Sequence, residues 1–268
     1  SCCENQIMKP YFIIYISILF LSQAIHSQEN PEVIEIREPQ TILFVGNSYL
    51  YYNDSLHNHF KRIVEEFKSD FDGSASVKSS TIGGSRLKHH DVERLIKPKA
   101  ISSVEKFELI ILQGGSAEPL SKKNREEFSF FAKKHIDVIK ARDSQAALYM
   151  THAYIEPHKG FKKNQIRVIE DVYTRVGNEN KVLVIPVGLA FDLAYRENPT
   201  IQLHEPDGTH PSLLGTYLAA CTVFASIYDK SPIGIDYDYS GAISQKDKIF
   251  LQKIADKATS GYFNKILN

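Results

Sequence analysis

The feature that most constrains this chain is a repeating order. A short apolar run ends in a small-residue turn, and a longer segment with apolar residues at helical spacing follows. Residues 41–45 (Thr-Ile-Leu-Phe-Val) are such a run and stop at Gly46. A run of this length between turn signals reads as a buried strand. Leu56, Phe60, Ile63, Val64 and Phe67 then fall on one face of a helix predicted over 55–67. The order repeats. Strands are expected over 76–82, 107–112, 146–150 and 181–186. Helices are expected over 121–141 and 161–176, with closing helices over 212–228 and 245–260. The first of these carries Phe128, Phe131, His135 and Ile139 on one face, and the second Ile169, Val172, Tyr173 and Val176.

Strands that alternate with helices must run parallel, because each helix carries the chain back to the starting edge. The predicted fold is α/β: a three-layer α/β/α sandwich around a five-stranded parallel sheet of flavodoxin-like type. The units share no sequence similarity, so a repeat architecture is excluded. Residues 28–268 contain no linker and read as one domain. The apolar content of 43% excludes a disordered chain, and 32 basic against 32 acidic residues leave no net charge. That balance gives no support for a nucleic-acid partner. Trp is absent, so any stacking on a ligand falls to Tyr, Phe or His.

Residues 1–27 read as a segment apart from the fold. Met8-Lys9 precedes an apolar run from Tyr11 to Leu21, and Ser22-Gln23-Ala24 follows as a small-x-small site. This is the layout of a secretory signal peptide, cleaved after Ala24 or Ser27. The run is shorter than the roughly 18 residues of a membrane span, so none is expected after cleavage. The expected location is periplasmic or secreted. Of three cysteines only Cys221 lies beyond this segment, in an apolar helix, and it reads as a buried inert thiol.

In open parallel sheets ligands bind beyond the carboxyl ends of the strands. Ser48, Gly83, Gly84, Gln113 and His152 all fall there. Ser48 follows the first strand, and alone it would read as a turn or cap residue. A serine becomes a nucleophile when a base takes its proton. Near the far end, Asp207-Gly-Thr-His210 supplies that base: an aspartate three residues before a histidine can hold one ring nitrogen while the other faces the serine. The pairs His57/His59 and His89/His90 invite a metal reading but lack a third ligand at recognisable spacing.

These residues resemble the SGNH, or GDSL, hydrolases. Gly46-Asn47-Ser48 is similar to that family's Gly-Asp-Ser block, Gly83-Gly84 stands where it has an oxyanion glycine, and Asp207-x-x-His210 matches its terminal block. The resemblance implies serine ester hydrolysis without metal or cofactor. It implies Ser48 as nucleophile, His210 as base and Asp207 as orienter. Oxyanion donors would come from the Ser48 amide, from Gly83 or Gly84, and from a third position. That position usually holds an asparagine; here the strand ends in Gln113-Gly114-Gly115-Ser116, so Gln113 is expected to donate instead. Asn47 and His152 are expected to touch substrate. The Gln-Gly-x-Ser pattern is similar to sialate O-acetylesterase-like and xylan acetylesterase branches, which implies a small acyl group on a sugar or another small-molecule ester. A lipase or thioesterase with a longer acyl pocket, and a non-catalytic carbohydrate-binding protein, remain the alternatives.

Overall fold

The apolar runs form strands β1 (Ile42–Gly46), β2 (Val77–Thr81), β3 (Leu109–Gln113), β4 (Gln145–Tyr149) and β5 (Leu183–Ile185). The computed structural model describes residues 29–268, so the leader expected over 1–27 lies outside the described residues. Every strand pairing is parallel, and the order across the sheet is β2-β1-β3-β4-β5. β1 and β3 lie inside the sheet and are buried along their whole length. Burial on both faces is why they read as unbroken apolar runs and not as alternating ones. β2 is an edge, and its half-exposed Lys78, Ser79, Ser80 and Thr81 make that edge a poor template for another chain.

The chain passes from β1 out to β2, then crosses back to lay β3 on the other side of β1. This reversal parts the connections and leaves a crevice at the carboxyl ends of β1 and β3. The helices are α1 (Ser48–Tyr51), α2 (Leu56–Phe67), α3 (Gly73–Ser76), α4 (Val92–Leu95), α5 (Lys122–Lys140), α6 (Gln165–Asn180), α7 (Val187–Glu197), α8 (Leu213–Tyr228) and α9 (Gln245–Phe263). α2, α8 and α9 pack as one layer; α5 and α6 pack beside β4 as the other. α8 is buried continuously from Gly215 to Tyr228 because α2, α7 and α9 enclose it, and Cys221 sits inside this wall.

Three local features differ from the expectation. Ser48 opens a helical turn of its own, α1, ahead of the predicted helix. α6 begins at Gln165 and not at 161, after Asn164 in a left-handed conformation. α7 was not anticipated: it starts directly after Pro186 and buries Val187, Ala190, Phe191 and Ala194, a helical spacing with no loop before it.

Beneath the loop that follows β3 lies a fully buried acid, Glu118. One carboxylate oxygen accepts from Gly115 N at 2.5 Å; the other has no partner among the described residues. Burial raises this carboxyl to about 7 against the opposing pull of the Gly115 N–H. Between the ordinary 4.5 and about 7 the unfolded chain has lost a proton that the folded chain keeps. Stability therefore falls as pH rises through this window. Urea unfolding of Glu118→Gln should show a much flatter pH dependence across it than the parent; an equal slope in both assigns the dependence to another group.

Candidate active site

The site begins where the sheet ends. At Gly46 a Cβ would stand 2.3 Å from Gln113 Oε1 and 2.7 Å from Leu50 Cδ1, so this position has room only for glycine. The next amide, Asn47 N, donates to Gln113 Oε1 at 2.8 Å. The Asn47 side chain caps α1 by accepting from Tyr49 N at 3.1 Å, and its Nδ2 donates to Ser85 O at 3.0 Å. Ser48 is thus the first residue of a fixed turn. It is 8% exposed, and its N–H has no partner among the described residues.

The partner segment is a tight hairpin between α7 and α8. His204 and Pro211 form an antiparallel bridge, and Glu205 N donates to His210 O at 2.8 Å. Gly208 turns the tip at φ +71°, and a Cβ there would stand 2.3 Å from Ile155 O, so both conformation and contact require glycine. Asp207 Oδ1 accepts from the N–H groups of Thr209 and His210, each at 3.0 Å, and Oδ2 accepts from His210 Nδ1 at 2.5 Å. Partial burial raises the Asp207 carboxyl, but the His210 ring and the two backbone donors outweigh it and hold it at about 2. With Nδ1–H given to Asp207, His210 Nε2 is left to accept from Ser48 Oγ at 2.9 Å. A serine hydroxyl so placed can lose its proton to the imidazole as it attacks a carbonyl.

The glycines lie in the turn that follows β2 and is tied to the end of β1. Residues 82–85 form a turn closed by Ser85 N donating to Ile82 O at 3.1 Å, with Gly84 at φ +65°. Neither Gly83 N–H nor Gly84 N–H has a partner among the described residues, and Ile82 N is tied to Gly46 O at 3.1 Å. These amides and that of Ser48 are free to meet an oxyanion. Ser85 fixes their spacing. Its hydroxyl donates to Gly46 O at 3.2 Å and accepts from His90 Nε2 at 2.8 Å, while burial holds His90 neutral, at about 4.

Three expectations are corrected. Gln113 is 1% exposed, and its amide is used at both ends: Oε1 by Asn47 N, Nε2 by Gly114 O. It braces the turn that carries Ser48, and its oxygen and one of its two N–H donors are spent on that turn and on Gly114. Asn47 is buried and committed to the α1 cap and Ser85, so it offers nothing to substrate. His152 is buried between Tyr49 and Phe191, with ring centroids at 4.1 and 4.4 Å, and donates from Nε2 to Thr209 O at 2.7 Å. It holds the residue between Asp207 and His210. Burial pushes it well below the usual histidine range, so it is neutral. Two histidines of the pairs read as metal candidates are likewise spent in the fold: His59 bridges Asn53 O and Tyr237, and His89 Nδ1 accepts from Arg86 N. Among the described residues no cluster of three metal-ligating side chains forms.

Several supporting residues escaped the sequence. Tyr52 stacks on the His210 ring at 4.2 Å and 9°. Tyr49 meets His210 edge-on and shares a 2.7 Å hydrogen bond with Thr209 Oγ1. The only signal was proximity to Ser48, since Tyr49-Leu50-Tyr51-Tyr52 follows it directly. Nothing local marked Ser85 or Phe191.

Gln113→Ala would strand the buried Asn47 N–H, a loss of about 1–3 kcal/mol. Its thermal midpoint should fall by several degrees; unchanged melting with a pure loss of turnover would return Gln113 to the oxyanion hole. For any activity at this site, the acid limb of kcat/KM should carry at most one ionisation above about pH 3, because Asp207 stays charged down to about 2. A second acid limb above about pH 3 would contradict that assignment.

No protein-family model matches the sequence, and no curated protein matches it. Solved structures do match the fold. A DUF4886 family protein from Bacteroides uniformis aligns at 18% identity and TM-score 0.57, covering 85% of this chain and 96% of that one. A candidate SGNH hydrolase from Slackia heliotrinireducens aligns at 21% identity and TM-score 0.52, covering 69% and 97%. An acetyl xylan esterase, AlAXEase, aligns at 13% identity and TM-score 0.53, covering 70% and 99%. Together with the β2-β1-β3-β4-β5 order, these likenesses give the chain the three-layer α/β/α fold of the SGNH hydrolases.

Proposed function

We propose that this protein is an exported serine esterase that removes acetyl or similarly small acyl groups, most naturally from carbohydrate. The observation that carries the reading is the continuous relay from Ser48 Oγ through His210 to Asp207, at 2.9 and 2.5 Å. Ser48 Oγ attacks the ester carbonyl as His210 Nε2 takes its proton. Asp207 holds the imidazole in the accepting tautomer and balances the imidazolium. The amides of Ser48 and of Gly83 or Gly84 meet the negative oxygen. His210 returns the proton to the leaving alcohol, and a water activated in the same way releases the acid. No step calls on a metal or cofactor. Export rests on the leader pattern in residues 1–27.

The carbohydrate and the short acyl group are supported by the acetyl xylan esterase among the structural neighbours. One observation favours a second reading, an esterase for longer acyl chains: Ile82, beside the glycines, is 47% exposed. p-Nitrophenyl acetate should be cleaved with higher kcat/KM than the octanoate; the reverse order selects the second reading. Ser48→Ala should lower kcat by roughly 10³-fold or more and abolish labelling by a fluorophosphonate. Retained turnover in that variant would remove Ser48 from the mechanism.

A further inference from the structure

Resting on the esterase reading, we infer that the exposed face of Tyr51 is a subsite for the leaving alcohol, and that this alcohol is a pyranose ring. The chemistry fixes where the parts of a bound ester must lie. The carbonyl oxygen belongs at the amides of Ser48 and of Gly83 or Gly84. The leaving oxygen belongs within reach of His210 Nε2, because that atom must give it a proton. Two aromatic rings join these fixed points along one side. Tyr52 stacks on His210, and Tyr51 stacks on Tyr52 at 5.7 Å and 26°. The Tyr51 hydroxyl reaches the other end, 3.2 Å from where a Cβ of Gly83 would stand. The leaving alcohol, next to the base that protonates it, is therefore given the aromatic side.

Tyr52 lies between His210 and Tyr51, so Tyr51 presents the free face. It is 42% exposed, and exposed Ile82 stands in the next turn. An apolar surface beside a reactive centre asks for an apolar ligand surface. Its surroundings decide which kind. Two carboxylates, Glu205 and Asp207, belong to the hairpin that carries His210, the ring on which Tyr52 stacks: Glu205 N donates to His210 O at 2.8 Å and Asp207 holds His210 Nδ1 at 2.5 Å. An alkyl chain laid there would strip water from carboxylates and give nothing back. A pyranose offers a flat C–H face to the ring and hydroxyl donors to Glu205. The chain has no Trp, so Tyr is its best residue for the purpose.

The test compares release of acetate from a monoacetylated methyl pyranoside and from ethyl acetate. In the parent, kcat/KM should favour the pyranoside. Tyr51→Ala should cut that preference about tenfold or more, mainly through KM for the pyranoside, and Tyr51→Phe should keep it. Tyr51→Leu, which retains apolar bulk without the ring, should behave as the alanine variant does. An unchanged preference in Tyr51→Ala and Tyr51→Leu overturns the subsite. So does an equal fall for both esters, which would mean Tyr51 acts on the chemistry or the fold. A parent that hydrolyses ethyl acetate without preferring the pyranoside defeats this inference and leaves the esterase reading standing. A parent that hydrolyses neither ester defeats both.

Discussion

A strand buried on both faces must pair all of its backbone groups, and β1 meets that demand only as far as its neighbours run beside it. Where the ladder stops, side chains and turns take over. Gly46 O receives Ile82 N and the Ser85 hydroxyl; Asn47 N gives its proton to Gln113. Each of these bonds also fixes a piece of the site. The first two set the glycine turn against β1, and the third sets the entry to α1. What is left over is the Ser48 amide and the two glycine amides, which have no partner among the described residues. In the proposed mechanism the oxyanion donors are thus the backbone groups that the sheet's end did not consume.

The same economy governs the far segment. Asp207 and His210 sit on a hairpin whose shape depends on Gly208 pressed against Ile155 O and on His204 paired with Pro211. A stack of Phe191, His152 and Tyr49 supports it from within, through His152 on Thr209 O and Tyr49 on Thr209 Oγ1. Buried neutral histidines serve here as rigid aromatic hydrogen-bond donors. Charging any of them would place an unpaired cation in the core, so in the proposed mechanism the proton transfer falls to His210, on the hairpin that the stack supports.

The alternation of apolar runs with helical segments is a local property, and it determined the sheet, its parallel sense and most element positions. The spacing of Asp207 and His210 is also local, because two residues three apart on a tight turn can reach each other without help. Ser48 was legible through its place at a strand end. The glycine pair was legible as a turn, and its amides have no partner among the described residues.

What the sequence could not decide is which polar groups would be used up. Gln113, Asn47 and His152 have the right chemistry to touch a substrate, and each lies at a strand end beside the crevice. Their fate depends on partners 38 to 66 residues away, such as Ser85 for Asn47, Gln113 for the Asn47 amide and Thr209 for His152. A buried amide or imidazole takes the nearest unpaired backbone group, because leaving that group unmet costs about 1–3 kcal/mol. Only the folded chain places those groups side by side. The meeting of Ser48 with His210, 162 residues apart, and the stacking of Tyr52 on that ring were decided in the same way.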